Sequence, residues 1–286
     1  MAENSKLSTV VLITGCTKGG IGFSLCEAFA ERGCVVYATA RRLEAMEGFS
    51  RSTIRTLTLD VNDGEGVKKT VEKVIEREGK IDILISNAGA LCVGPVLDVA
   101  VEDAQNSFNT NYFATVRLAQ AVIPHMAARK KGLVINVGSV SGEVPTPFVG
   151  HYAAAKAALH AVTEVLNMEC RHLGVHVMLL LPGSVRSNIA KTGEASYSMP
   201  DNSLYKAFLE KILTRARTSQ DRKSMPTDEF AMEVVNRALG AHPPTYLWLG
   251  GRTWQLWAMR SFLPRAAVLW LMWKIFVDSW RTLFRS

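Results

Sequence analysis

A chain of 286 residues is long enough to bury one large mixed core and too short to make two full-sized enzyme domains the first expectation. Its formal charge of +7 comes from Lys and Arg interspersed with acids, with no basic patch interleaved with aromatics, which excludes nucleic acid as a partner. Five scattered cysteines without a CxxC pair exclude a disulfide framework and a zinc site, so no metal is expected and a reducing compartment fits.

The N-terminus, MAENSKLSTVV, is polar, is not a secretory signal, and runs straight into the first apolar strand. The runs VVLIT, CVVYATA, IRTLTLD, IDILISN, GLVINVG and VHVMLLLP then follow one another, with helix-period segments between most of them. That alternation predicts right-handed crossovers and an α/β fold with a doubly wound parallel sheet of the Rossmann type. Near-continuous apolar runs such as VMLLL agree, because both faces of such a strand are buried. Ligands in these sheets bind beyond the carboxyl ends of the strands. The segments of interest are therefore 14–22, Arg41 with Arg42, Asp60 with Val61, 87–89, Ser139 and 182–187.

The first of these reads TGCTKGGIG and sits between a strand and a helix. Free backbone N–H groups and the positive end of a helix dipole converge there on an anion. The run has no Gly-Lys-Ser/Thr ending, so it is not a nucleotide-triphosphate loop. A dinucleotide loop and a ligand-free tight turn both remain open at this point. Further on, residues 184–225 form a long polar connection, which in a compact domain is a lid or binding loop.

HYAAAKAALHAVTEVLNMEC, from His151, contains strong helix formers and places Tyr152 and Lys156 four residues apart on one face. A tyrosine is a poor proton donor near neutrality, and a fixed ammonium beside it lowers its pKa. The pair predicts a tuned acid. GSVSG follows the strand GLVINV and puts Ser139 thirteen residues before Tyr152, with Ser141 as the alternative serine.

TGCTKGGIG, SNAG at 86–89, Asn111 in NTNYF, GSVSG, YAAAK and PGSVRS at 182–187 together resemble the short-chain dehydrogenase/reductase family in order and spacing, over roughly residues 8–187. The resemblance implies that Tyr152 is the general acid toward a substrate carbonyl, that Lys156 tunes it and holds the nicotinamide ribose, and that Ser139 donates to the same carbonyl oxygen. It also implies that Asn111 holds a water linking Lys156 to solvent. Gly15, Thr17, Lys18, Gly20, Ile21 and Gly22 are the implied cofactor loop, although one extra residue separates Gly15 from Gly20 and blurs which of Thr17 and Lys18 meets phosphate. Asp60 and Val61 match the adenine contact, Asn87 supports the cleft, and Val185 and Ser187 match the carboxamide contacts. His151, His172 and His176 are read as structural.

The second strand ends YATARR with no acid to receive ribose hydroxyls; Arg41, Arg42 and Lys18 instead surround the expected 2′-phosphate, which predicts NADPH. YATARRLEAM, MPTDEFA and the tail further resemble NADPH-dependent 1-acyldihydroxyacetone-phosphate reductases, with 17β-hydroxysteroid dehydrogenases as the alternative; both imply a lipid ketone as substrate. A non-catalytic NADP-binding membrane scaffold is the alternative from another class.

The chain divides into a domain at 1–250 and a C-terminal segment at 251–286. Trp248, Trp254, Trp257, Trp270, Trp273 and Trp280 all fall in the last forty residues, with six cations against the single acid Asp278. The apolar run at 266–277 is too short to span a bilayer, so the tail is expected to bind a membrane surface, at the cytosolic face of the endoplasmic reticulum or a lipid droplet. A leaflet hairpin, a substrate lid and a homodimer contact stay open as its other uses.

Overall fold

The computed structural model describes residues 8–278; Trp280, Arg281 and Arg285 of the tail and the first seven residues of the polar N-terminus lie outside them. In chain order the elements are β1 (Val10–Thr14), α1 (Ile21–Glu31), β2 (Val35–Ala40), β3 (Ile54–Thr58), α2 (Gly64–Glu78), β4 (Ile83–Ser86), α3 (Val101–Phe108), α4 (Ala114–Ala128), β5 (Gly132–Val137), α5 (Val140–Glu143), α6 (Gly150–Cys170) and β6 (Val175–Pro182). There follow β7 (Val185–Arg186), α7 (Ile189–Ala195), α8 (Leu209–Ala216), β8 (Met225–Pro226), α9 (Thr227–Ala238), β9 (Tyr246–Leu249), α10 (Thr253–Phe262) and α11 (Arg265–Phe276).

The main sheet has seven parallel strands in the order β3-β2-β1-β4-β5-β6-β9. Alternation along β1 explains the two-sided burial: Val11 and Ile13 join one core, Val10 and Leu12 the other. The first core receives Leu25 and Phe29 from α1 and Phe230 and Val234 from α9; the second receives Val67, Val71 and Val74 from α2 and Leu118, Val122 and Met126 from α4. The chain reverses its direction of strand addition between β1 and β4, where the crevice of such a sheet opens.

Residues 184–225 are not irregular throughout, as the polarity of that stretch suggests. They hold α7 and α8 and are closed at the base by the pairing of β7 with β8, Val185 opposite Met225. Helix α8 is eight residues long and buries only Ile212 and Ala216, so its apolar stripe is too brief to stand out from sequence. The edge strand β9, reading YLWL, was also outside the six apolar runs, and it pairs with β6 from Leu179 opposite Tyr246 onward.

The C-terminal helices are seated on the body by one face. Val268 and Met272 of α11 are buried against Val144, and Arg260 of α10 pairs with Glu143, whose backbone oxygen accepts from Arg265 Nη1 at 2.9 Å. The same segment leaves Trp254, Trp257, Phe262, Leu263, Trp270, Trp273 and Ile275 exposed. No helix among the described residues is long and apolar enough to cross a membrane.

Candidate active site

The glycine loop leaves β1 at Gly15, whose φ of +73° suits glycine, and a Cβ there would stand 2.7 Å from the Ala88 Cα. At Gly22, inside the first turn of α1, a Cβ would meet the Asn87 Nδ2 at 2.5 Å. Asn87 works from beneath this loop: its Nδ2 donates to the Thr14 oxygen at 2.8 Å and the Gly15 oxygen at 3.1 Å. Gly20 caps α1 without a side chain, Ile21 begins it, and the Gly20 N–H donates to the Thr17 oxygen at 2.9 Å. Thr17 and Lys18 are exposed on the turn.

The Lys18 N–H donates to the Ala45 oxygen at 2.8 Å, which brings this residue to the turn that follows Arg42. Arg41 and Arg42 are exposed just past the end of β2. Among the described residues none of the three cations has a carboxylate within ion-pair distance. Past β3, Asp60 is exposed and accepts from the Asn62 N–H at 2.9 Å, while Val61 is buried. On the far side of the crevice Val185 and Ser187 are buried, and the Ser187 oxygen accepts from Gln220 Nε2 at 2.9 Å.

Ser139 follows β5 and caps α5, its hydroxyl accepting from the Ser141 N–H at 3.1 Å. Tyr152 and Lys156 stand one turn apart on α6, both buried, with the ammonium 5.8 Å from the tyrosine ring centroid. Lys156 Nζ donates to the Val137 oxygen, at the end of β5, at 2.7 Å. Helix α6 thus delivers both side chains to the carboxyl end of the sheet, beside Ser139. Asn111 is buried in a π-helical turn, Asn109–Phe113, between α3 and α4. Its Nδ2 donates to the Ala90 oxygen at 2.8 Å and the Ser107 oxygen at 2.9 Å, and its Oδ1 accepts from the Ala90 N–H. An inserted π turn of this kind is a common device for re-aiming a functional side chain.

The electrostatics differ from the sequence expectation that Lys156 lowers the Tyr152 pKa. Burial is the largest influence on both groups: it pushes the phenol up, and it pulls Lys156 down to about 7. The influences that oppose burial at Tyr152 are the Ser139 hydroxyl and the charge of Arg215. Arg215 comes from α8, and sequence reasoning passed over it. Also passed over was His160, buried one turn beyond Lys156, whose Nδ1 lies 3.0 Å from Glu143 Oε1. Tyr152, Lys156 and His160 recur every four residues, which was the available signal. Of the histidines read as structural, His151 Nε2 lies 3.5 Å from the Val96 oxygen and His176 Nε2 is buried without a partner.

The sequence signature described as short chain dehydrogenase matches residues 9–197. The chain belongs to the short-chain dehydrogenase/reductase family. It is an oxidoreductase of that family, as the ordered motifs implied. The NADPH-dependent 1-acyldihydroxyacetone phosphate reductase of Schizosaccharomyces pombe is 34% identical over 253 residues, covering 87% of this chain and 84% of that one. A short-chain dehydrogenase of Pyricularia oryzae is 31% identical over 264 residues, covering 91% and 92%. A solved short-chain dehydrogenase from Streptomyces avermitilis superimposes with a TM-score of 0.79 at 28% identity, covering 94% of this chain and 97% of the other.

Proposed function

We propose that this member of the family reduces the ketone of a lipid with NADPH, and that the lipid is 1-acyldihydroxyacetone phosphate, giving 1-acylglycerol 3-phosphate. The observation that carries the cofactor is the set Arg41 and Arg42, exposed past the end of β2, and Lys18, exposed on the loop whose N–H reaches Ala45, none with a carboxylate of the described residues within ion-pair distance. The similarity to the fission-yeast reductase, spread over 87% of this chain, supports the substrate.

NADPH fits the residues present. Gly15, Gly20 and Gly22 allow a close backbone approach at the start of α1, and the cations suit a 2′-phosphate. Thr17, Lys18 and Ile21 line the same loop, Asp60 and Val61 are the adenine contacts, and Val185 and Ser187 the carboxamide contacts. Asn87 acts through the loop it braces. When bound, NADPH supplies the hydride. Tyr152 gives its hydroxyl proton to the ketone oxygen, and Ser139 donates a hydrogen bond to that oxygen as negative charge develops on it. Lys156 holds the ribose hydroxyls beneath Tyr152. Asn111 keeps the Ala90 loop in place and holds the water that links Lys156 to solvent.

The tail is proposed as a membrane-surface anchor, placing the enzyme at the endoplasmic reticulum or a lipid droplet, with residues 184–225 as the lid. Exposed Trp254, Trp257, Trp270 and Trp273, with cations nearby, suit a lipid interface. A panel of ketones followed by NADPH absorbance tests the activity. Turnover of 1-acyldihydroxyacetone phosphate in preference to a steroid ketone is expected, and the reverse preference overturns the substrate.

A further inference from the structure

Arg215 is a half-buried cation with no carboxylate of the described residues beside it. Its Nε donates to Thr146 Oγ1 at 2.8 Å, its Nη2 to Ser141 Oγ at 3.4 Å, and its Cζ lies 5.4 Å from the centroid of the Phe276 ring. Every one of these partners is neutral. No carboxylate among the described residues lies within ion-pair distance, and Asp278, the acid nearest in sequence to Phe276, is taken by Lys274. Burial draws the guanidinium down to about 10, and Tyr152 opposes that shift. One turn earlier on α8, Lys211 donates to the Val277 oxygen and lies 5.5 Å from the Phe208 ring centroid, again with no carboxylate.

A half-buried charge without a counter-ion is costly to hold unless something pairs with it. Stapling α8 to Thr146 needs only a neutral donor, so the hydrogen bonds alone do not account for a guanidinium. Its location gives the reason for the charge. Ser141 is two residues from Ser139, and the Arg215 charge is felt at Tyr152. An anion paired with Arg215 is therefore placed at the Ser139–Ser141 turn, which also carries the hydroxyl assigned to the carbonyl.

We propose that Arg215 is a specificity-determining residue that binds a phosphate ester carried on the carbon next to the substrate ketone, so that the site selects phosphorylated keto-lipids over neutral ones. This rests on the assignment of Tyr152 and Ser139 above and deepens the substrate reading. The guanidinium offers a fork of N–H donors to phosphate oxygens, and Thr146 and Ser141 hold that fork in place before the substrate arrives.

The test compares 1-hexadecanoyl-dihydroxyacetone phosphate with its dephosphorylated form, using full-length protein, NADPH and mixed detergent micelles, for the native enzyme, Arg215→Gln and Arg215→Lys. The native enzyme should favour the phosphate ester in kcat/KM. Arg215→Gln should lower kcat/KM on both ketones, because its charge also acts on Tyr152, but the loss for the ester should exceed that for the neutral ketone by about 30-fold or more, and Arg215→Lys should recover part of this excess. In calorimetry on the native protein with NADP+, 1-hexadecanoylglycerol 3-phosphate should bind at least tenfold tighter than 1-hexadecanoylglycerol. Equal losses on both ketones with NADPH binding intact would overturn the proposal, as would equal binding of the two products. Should the native enzyme reduce the phosphate ester without dependence on Arg215, this inference falls and the substrate reading stands. Should it ignore the ester but reduce a 3-oxoacyl carboxylate in an Arg215-dependent way, the phosphate is wrong and so is the substrate reading, while Arg215 remains an anion reader. Reduction of neutral ketones alone overturns both.

Discussion

Ser139 donates its backbone N–H to His160 Nε2 at 3.3 Å, so this nitrogen is the acceptor and the ring proton lies on Nδ1, facing Glu143 Oε1 at 3.0 Å. The ring, oriented by Glu143, fixes the turn that presents the Ser139 hydroxyl. His160→Phe keeps a ring of similar size but leaves the Ser139 N–H without an acceptor. Unfolding should become easier by about 1–3 kcal/mol, and kcat should fall about tenfold with the KM for NADPH little changed. Thermal melts and steady-state kinetics check both; an unaltered kcat would show that the Ser139 turn holds itself.

Tyr152→Phe removes the proton donor and keeps the buried ring. Turnover should drop by about 100-fold or more, a usual size for general acid catalysis. NADPH binding, followed by fluorescence, should stay within about twofold. Retained turnover contradicts the assignment of Tyr152.

Arg41→Ala removes one of the unpaired cations past β2. NADPH should bind about tenfold more weakly, or worse, while NADH binding is unchanged, because a charge-assisted contact to a phosphate contributes about 1.5–3 kcal/mol. Equal losses for both cofactors would move the 2′-phosphate elsewhere.

Lys156 gives a signature in pH. Its pKa is about 7 in the folded protein and near the ordinary lysine value when unfolded. Between those values the unfolded chain binds more protons, so stability rises with pH across roughly pH 7 to 10, by at most about 1.4 kcal/mol per unit. In Lys156→Met that gain should be missing. The melting temperature of the native protein, measured without cofactor from pH 7 to 10, should therefore rise relative to that of the variant as pH rises. A constant difference means that Lys156 keeps its charge.

Removing residues 253–286 is a blunt test of the tail, because it also strips Arg260 and Arg265 from Glu143 and uncovers Val144. Substituting the exposed Trp254 and Trp270 by Glu spares Val268 and Met272, which hold α11 to the body. The double variant should lose flotation with liposomes and keep its NADPH binding. Flotation unchanged by these substitutions excludes that face as the lipid contact.

The sheet was legible because β1, β2, β4, β5 and β6 are buried on both faces and read as unbroken apolar runs. Tyr152 and Lys156 were legible because a helix repeats nearly every four residues. His160 continues the same row, yet its task is set by where β5 delivers the Ser139 N–H, a contact that no local pattern encodes. Arg215 was hidden for a related reason. Its partners Thr146 and Ser141 lie about seventy positions earlier, and α8 in isolation is an unremarkable charged segment. The spacing of Tyr152 and Lys156 reports a neighbour but not the depth of burial, which is the largest influence on the phenol.

The parallel pairing of β6 with β9 has a consequence for how the chain matures. Leu179 cannot find Tyr246 until the whole of the intervening lid has been synthesised, so closure of this edge is a long-range event that follows the rest of the sheet. Until then VHVMLLLP offers its unpaired N–H and C=O groups along an apolar ribbon, the kind of open border that recruits other strands. Chains truncated anywhere inside the lid should for that reason aggregate during expression, whereas chains that reach Leu249 have the strand that seals the sheet.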